Sequence, residues 1–221
     1  AIPVDVTDKL LPSILDKVKD ITVVTDMGSS KSIISKTIEN HVNRKNFVAS
    51  HPIAGTEHSG PLAAFKELFA GKVAIICDRE KSSLKSLHVV ETMYKHLRMK
   101  LIYMDSESHD LHVAYVSHLS HITSFALGLT VLDKEKDEAT IFNLAGSGFE
   151  STVRLAKSSP EMWNPIFEQN AKNISTGLGE YIEKLQEFKN LLDNENWTEI
   201  YQFMKASNEI KRVLNDMKYK S

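Results

Sequence analysis

Asn46-Phe47-Val48-Ala49-Ser50-His51-Pro52-Ile53-Ala54-Gly55-Thr56-Glu57-His58-Ser59-Gly60-Pro61 is a strand-forming run that empties into a loop. The β-rich residues to Ala49 deliver the chain to a sheet edge. Pro52, Gly55, Gly60 and Pro61 then forbid regular structure. The loop carries two imidazoles and a carboxylate, and an imidazole exchanges protons near neutral pH. Such a loop can also be a plain Pro/Gly connection whose histidines hydrogen-bond backbone, so its neighbours must decide.

Upstream, Ala1-Ile2-Pro3-Val4 reads as the end of a buried strand. Val6, Leu10, Leu11, Ile14, Leu15 and Val18 then recur at helical spacing despite Pro12. Ile21 to Asp26 is a β-branched run expected to form a buried strand. Met27-Gly28-Ser29-Ser30-Lys31 is a turn opening a helix to about Val42, with a serine at the N-cap. Downstream of the loop a short helix is expected through Phe65, Leu68 and Phe69. A strand over Lys72 to Cys77, a helix over Ser83 to Leu97 and a strand over Lys100 to Met104 follow. Strands alternating with helices predict a parallel sheet, whose ligands gather at the carboxyl ends of strands. Three polar loops fall there: Pro3-Val4-Asp5, Asp26-Met27-Gly28-Ser29 and Ser50-His51.

Beyond Asp105 only helical periodicity remains. Helices are expected over roughly 107–132, 135–146, 148–157, 160–194 and 196–217, the first apolar on most faces. The expected division is therefore 1–105, an α/β domain, and 106–221, an all-α domain. In the second, Ser117-His118-Leu119-Ser120-His121 sets two imidazoles three residues apart on one helix face. No carboxylate or cysteine set with metal-ligand spacing accompanies them, so no metal is assigned. Backbone-bonded imidazoles and anion ligands remain equal readings. Arg154, between Val153 and Leu155, is either a surface cation or the partner of a substrate carboxylate.

The 221 residues are 42% hydrophobic and 25% charged, ordinary for a globular protein. A net charge of −2 speaks against a nucleic-acid surface, and no apolar run has membrane-spanning length. The single cysteine, Cys77, lies in the run Val73 to Cys77 and is expected buried, in keeping with the cytoplasm. The chain starts at Ala1 without a methionine, and a fragment of a longer protein is expected.

Four motifs in order carry a resemblance that covers nearly the whole chain: Asp26-Met27-Gly28-Ser29; Ser50-His51 through Gly60; Ser117 to His121; and Phe149…Thr152-Val153-Arg154…Ser158-Ser159-Pro160-Glu161-Met162-Trp163. Together they resemble the prephenate dehydrogenases of tyrosine biosynthesis. The resemblance implies the second half of a Rossmann-like dinucleotide-binding domain, then a helical substrate-binding domain that forms a homodimer. It implies oxidative decarboxylation of prephenate to 4-hydroxyphenylpyruvate with NAD as acceptor, NADP not excluded. His51 would take the proton of the ring hydroxyl, and Ser29 would position His51 and the nicotinamide. Arg154 would grip a carboxylate, with His121, Glu57 and Trp163 lining the pocket. Ile2, Pro3 and Val4 would lie against the cofactor.

The sequence departs from the family in having no Gly-x-Gly-x-x-Gly phosphate loop, and in its segment Gly146 to Ser151. The missing half would leave strand Ile21 to Asp26 at, or next to, a sheet edge. Arogenate dehydrogenase is the nearest alternative, and a non-catalytic helical dimerisation fragment the alternative from another class.

Overall fold

A computed structural model describes residues 2–55, 63–138 and 140–219. Helix α1 spans Val4–Lys17, with Val4, Leu11 and Leu15 on its buried face. The expected strand end at Ile2 to Val4 is instead the entry to this helix. Pro3, at φ −52° and ψ 147°, sets the turn, and Asp5 complements the positive helix start.

The sheet has the order β1-β2-β3-β4, from Val24–Thr25, Phe47–Ile53, Val73–Cys77 and Lys100–Met104. β1 is an edge strand, as expected, but shorter than Ile21 to Asp26. The Asn46 amide donates to the carbonyls of Lys19, Asp20 and Thr22, which bends the approach away from the ladder. The sheet is mixed and not all-parallel: β1 runs parallel to β2, β3 runs parallel to β4, and β2 pairs antiparallel with β3. A parallel β2–β3 pair would need a crossover element between them. The helix expected through Phe65, Leu68 and Phe69 is a series of turns, closed by Leu68 N–H on the Phe65 carbonyl and Ala70 N–H on that of Glu67. Gly71, at φ +74°, then turns the chain into β3.

Strand alternation divides the core. Phe47 and Ala49 face α1 and α2 (Ser32–Thr37), packing with Leu11, Leu15, Ile34, Ile38, Ile75 and Cys77. Cys77 is buried, as its sequence context required. Val48 faces the other way, toward Leu87, Val90 and Tyr94 of α3 (Leu84–His96). With a period of two, Ser50 joins the α3 side, where its hydroxyl lies 2.7 Å from that of Tyr94. His51 consequently falls on the α1/α2 side.

Beyond β4 come α4 (Ser106–Val113), a π-turn at Ala114–His118, α5 (Leu119–Asp137), α6 (Ser147–Val153), α7 (Pro160–Gln169), α8 (Ala171–Asp193), α9 (Trp197–Ser207) and α10 (Ile210–Tyr219). The helix expected over 135–146 is only a 3-10 turn at Ile141–Leu144, and that over 160–194 breaks in two at Asn170. None of the described helices is long and apolar enough to cross a membrane.

By packing, the chain divides after Ile174 into units 1–174 and 175–221. The helices up to α7 belong with the sheet because polar and apolar contacts tie them there. Ser106 N–H donates to Asp78, Ser30 donates to Gln169, and Val4 packs on Trp163 and Ile166. In the second unit Phe188 and Phe203 meet edge to face, with ring centroids 5.3 Å apart.

Gly28 is fixed by space: a Cβ there would stand 2.8 Å from Val4 Cγ1 and 3.1 Å from Asp26 Oδ2. Gly28→Ala should therefore lower stability by about 1–3 kcal/mol, the usual cost of overpacking. An unchanged denaturant midpoint would show that the α1 start yields freely.

Candidate active site

The site grows from the carboxyl ends of two neighbouring parallel strands. After β1, Asp26 turns its carboxylate back into the turn that follows. Its Oδ2 accepts from Gly28 N–H at 3.0 Å and pairs with the Lys31 ammonium; Oδ1 accepts from Ser50 N–H at 3.1 Å. Lys31 is fully buried and Asp26 nearly so. A buried ion pair of this kind holds only with further hydrogen bonds, which the two backbone amides supply.

Helix α2 starts at Ser32, with no side chain of its own capping it. The serine cap expected in the Met27 to Lys31 turn is replaced by a distant residue. Asp110, on α4, accepts from Lys31 N–H and Ser32 N–H, each at 2.8 Å. A carboxylate at a helix start satisfies free N–H groups and favours the dipole. Asp110 Oδ1 also lies 2.8 Å from Nδ1 of His109, and Nε2 of His109 lies 2.9 Å from Nδ1 of His51. His109 and Asp110 are fully buried, whereas His51 is partly exposed. Burial works against the Asp110 carboxylate, but hydrogen bonds from His109 and Ser32 outweigh it and hold its pKa below the usual range. His51 is pushed well below 6.5 by the protein crowding it, then by His109, Lys31 and His118.

Asn170, where α7 ends, bridges onward. Its amide donates to the Asp110 carbonyl at 2.7 Å and lies 3.2 Å from Nδ1 of His118. His118 closes the π-turn, a local unwinding often found at functional sites. It meets Trp163 edge to face at 5.7 Å, and His121 stacks on the same indole at 3.5 Å. Nδ1 of His121 lies 3.0 Å from the Ser117 carbonyl, which leaves Nε2 on the open side of the ring. Burial, with some help from the charge of Arg154, lowers the His121 pKa against the effect of that carbonyl. Arg154 is exposed at the start of the 3-10 turn Arg154–Lys157.

The structure thus links His51 through His109, Asp110, Asn170 and His118 to Trp163 and His121, and the charge of Arg154 bears on His121. Ser29 is half-buried in the turn after β1, but the partner at His51 Nδ1 is His109. Ile2 and Pro3 are exposed just ahead of α1, while Val4 points inward onto Trp163 and Ile166. Glu57 lies outside the described residues. His109, Asp110, Lys31 and Asn170 escaped the sequence reading. The adjacent His109-Asp110 pair was visible, but nothing local marks it as the neighbour of a residue 58 positions earlier.

The pKa of buried His118 is driven to about 4 from 6.5, chiefly by burial, with the charge of Asp110 opposing and His109 and His121 adding. The unfolded chain binds this proton below 6.5, whereas the folded chain refuses it until about 4. Stability should be full above 6.5 and fall as the pH drops toward 4, by on the order of 3 kcal/mol from this group. Denaturation at a series of pH values should show the slope, and His118→Asn should reduce it, leaving the part that His51 and His121 contribute. An equal slope in both proteins would assign the protons elsewhere.

Two family descriptions match in order: "Prephenate dehydrogenase, nucleotide-binding domain" over residues 1–113 and "Prephenate dehydrogenase, dimerization domain" over residues 105–206. A cyclohexadienyl dehydrogenase of Zymomonas mobilis is 26% identical over 197 residues, 89% of this chain and 67% of that protein. The prephenate dehydrogenases of Bacillus subtilis and Lactococcus lactis are matched over about half their length. Among solved structures, Aquifex aeolicus prephenate dehydrogenase in complex with hydroxyphenyl propionate and NAD+ is 32% identical, with a TM-score of 0.85. That match covers 96% of this chain and 73% of the other. With two domain descriptions covering residues 1–206 and a fold shared at this identity, the chain belongs to the prephenate dehydrogenase family.

Proposed function

We propose that this chain carries the catalytic base and the substrate pocket of an NAD(P)-dependent prephenate dehydrogenase. The observation that carries the reading is the chain of contacts from His51 through His109, Asp110, Asn170 and His118 to Trp163 and His121. A neutral imidazole at one end, and at the other the Arg154 guanidinium whose charge bears on His121, support the reading. Those are the two groups needed to remove a hydroxyl proton from an anion.

The residues at the strand ends fit the nicotinamide end of a dinucleotide. The turn bearing Ser29 and the strand end bearing His51 lie at the same end of a parallel pair, and Ile2 and Pro3 are exposed. No residue here is assigned to the phosphates, because the sequence has no glycine-rich phosphate loop. When bound, the nicotinamide supplies the hydride acceptor.

His51 takes the ring-hydroxyl proton as the hydride leaves the same carbon. After CO₂ departs, the electron pair of the broken C–C bond makes the ring aromatic, and His51 returns the proton to the phenolate oxygen. The low His51 pKa keeps it unprotonated and ready at neutral pH. Arg154 pairs with a substrate carboxylate, and Trp163 and His121 form the ring wall; the role of Glu57 rests on the family resemblance alone. The cavity of about 450 Å³ lined by Trp163, Phe125, Leu129 and Phe167 is mostly apolar. It could not hold a carboxylate without an unpaired-charge penalty.

Residues 1–105 take the dinucleotide side and 106–221 the substrate and a second copy of the chain. Exposed Leu129, Leu132, Ile182, Leu185 and Leu192 support that homodimer. The setting is the cytoplasm. Assays on prephenate and arogenate, with NAD and NADP, choose among the substrates and cofactors of the family.

His51→Asn should reduce kcat about a hundredfold or more, with little change in KM; near-native turnover would remove His51 from the role of base. Arg154→Ala should raise the KM for prephenate by the equivalent of about 1.5–3 kcal/mol, with cofactor KM unchanged. Equal weakening toward both ligands would point to a folding defect instead.

A further inference from the structure

We propose that His109 and Asp110 are positioning residues that keep the proton of neutral His51 on Nδ1, leaving Nε2 as its basic nitrogen. This rests on the reading of His51 as the base and adds which atom acts and what decides it. The argument begins at Asp110. Its two oxygens already receive two backbone N–H groups, and a carboxylate can only accept. The nitrogen facing it at 2.8 Å, Nδ1 of His109, must therefore be the donor.

In the proposed state that Nδ1 proton is the only one on His109. Neutral His109 then presents a lone pair at Nε2. Nδ1 of His51 stands 2.9 Å from that lone pair and must donate to it. A neutral imidazole has one N–H, so Nε2 of His51 is left bare.

The same chain of hydrogen bonds serves the protonated state. When His51 gains a proton at Nε2, its Nδ1–H still points at His109, whose far side rests on the Asp110 carboxylate. The imidazolium thus keeps its acceptor at Nδ1 without atoms having to move. Lys31 and His118, the other groups whose charge bears on His51, both oppose protonation. Lys31 is paired with Asp26. His109 opposes protonation by charge as well, and what the Asp110–His109 pair supplies is a fixed acceptor for the Nδ1 proton of His51. The arrangement extends by one imidazole the logic by which a buried carboxylate orients a catalytic histidine.

Nitrogen-15 NMR of histidine-labelled protein, read near neutral pH without ligand, tests the assignment. His51 and His109 should both show protonated Nδ1 and bare Nε2. In His109→Leu the acceptor is gone, and the His51 proton should move toward Nε2, the nitrogen favoured by a free imidazole. Turnover should fall roughly tenfold or more with the KM for prephenate unchanged. His109→Gln, whose amide oxygen can occupy the place of Nε2, should recover part of both.

An Nε2–H tautomer at His51 in the unaltered protein would overturn the proposal without any variant. So would a His109→Leu protein with unchanged tautomer and turnover. Either result is separable from failure of the base assignment, which only His51→Asn turnover decides.

Discussion

Two backbone N–H groups at the start of α2 have no partner within their own helix, and the carboxylate of Asp110 supplies one for both. That contact spans 79 positions of sequence and welds α4 to the turn after β1. Much else follows from it. The carboxylate is buried and ionised, so the atom beside it must be a donor, and His109 becomes a fixed relay to His51. The Asp110 carbonyl takes the Asn170 amide, which ties the end of α7 to the same point. Through Asn170 the chain of contacts reaches His118 and the indole of Trp163. A helix cap is worth about a kilocalorie on its own. Here the cap also anchors the hydrogen-bonded chain that ends at His51.

The electrostatics of this region are organised in the same way. Lys31 and Asp26 are both buried, and each is the other's compensation. Asp26 holds the Ser50 amide as well, so the end of β2 is registered against the end of β1 by a charged hydrogen bond. One residue further on, still within β2, His51 sets its Nδ1 against His109 of α4. The imidazoles of His51, His118 and His121 all have pKa values lowered by burial. A cluster of neutral rings beside an arginine can receive an anion and accept a proton, whereas a cluster of imidazolium ions could only do the first.

The apolar core serves this arrangement by orienting β2. Phe47 and Ala49 on one side, and Val48 on the other, are each packed against a different helix layer. A slip of one residue would bury His51 against Tyr94 and turn Ser50 toward His109. Core packing therefore sets the direction of the imidazole, and the polar network sets its proton.

Local signals alone determined a good deal about this protein. The β4 strand at Lys100 to Met104, the burial of Cys77 and the switch from strands to helices beyond Asp105 were legible from short-range patterning. The Pro/Gly punctuation after His51 and the order of four motifs pointed to the family. Tertiary structure alone decided the antiparallel β2–β3 pair, the shortened β1 and the packing division after Ile174. It also decided the capping of α2 by Asp110 and the partners of His51. The reason is range. Periodicity and turn chemistry report on neighbours within a few residues. A carboxylate capping a helix 78 positions away, or an imidazole 58 positions away, has no local trace in the residues that flank it.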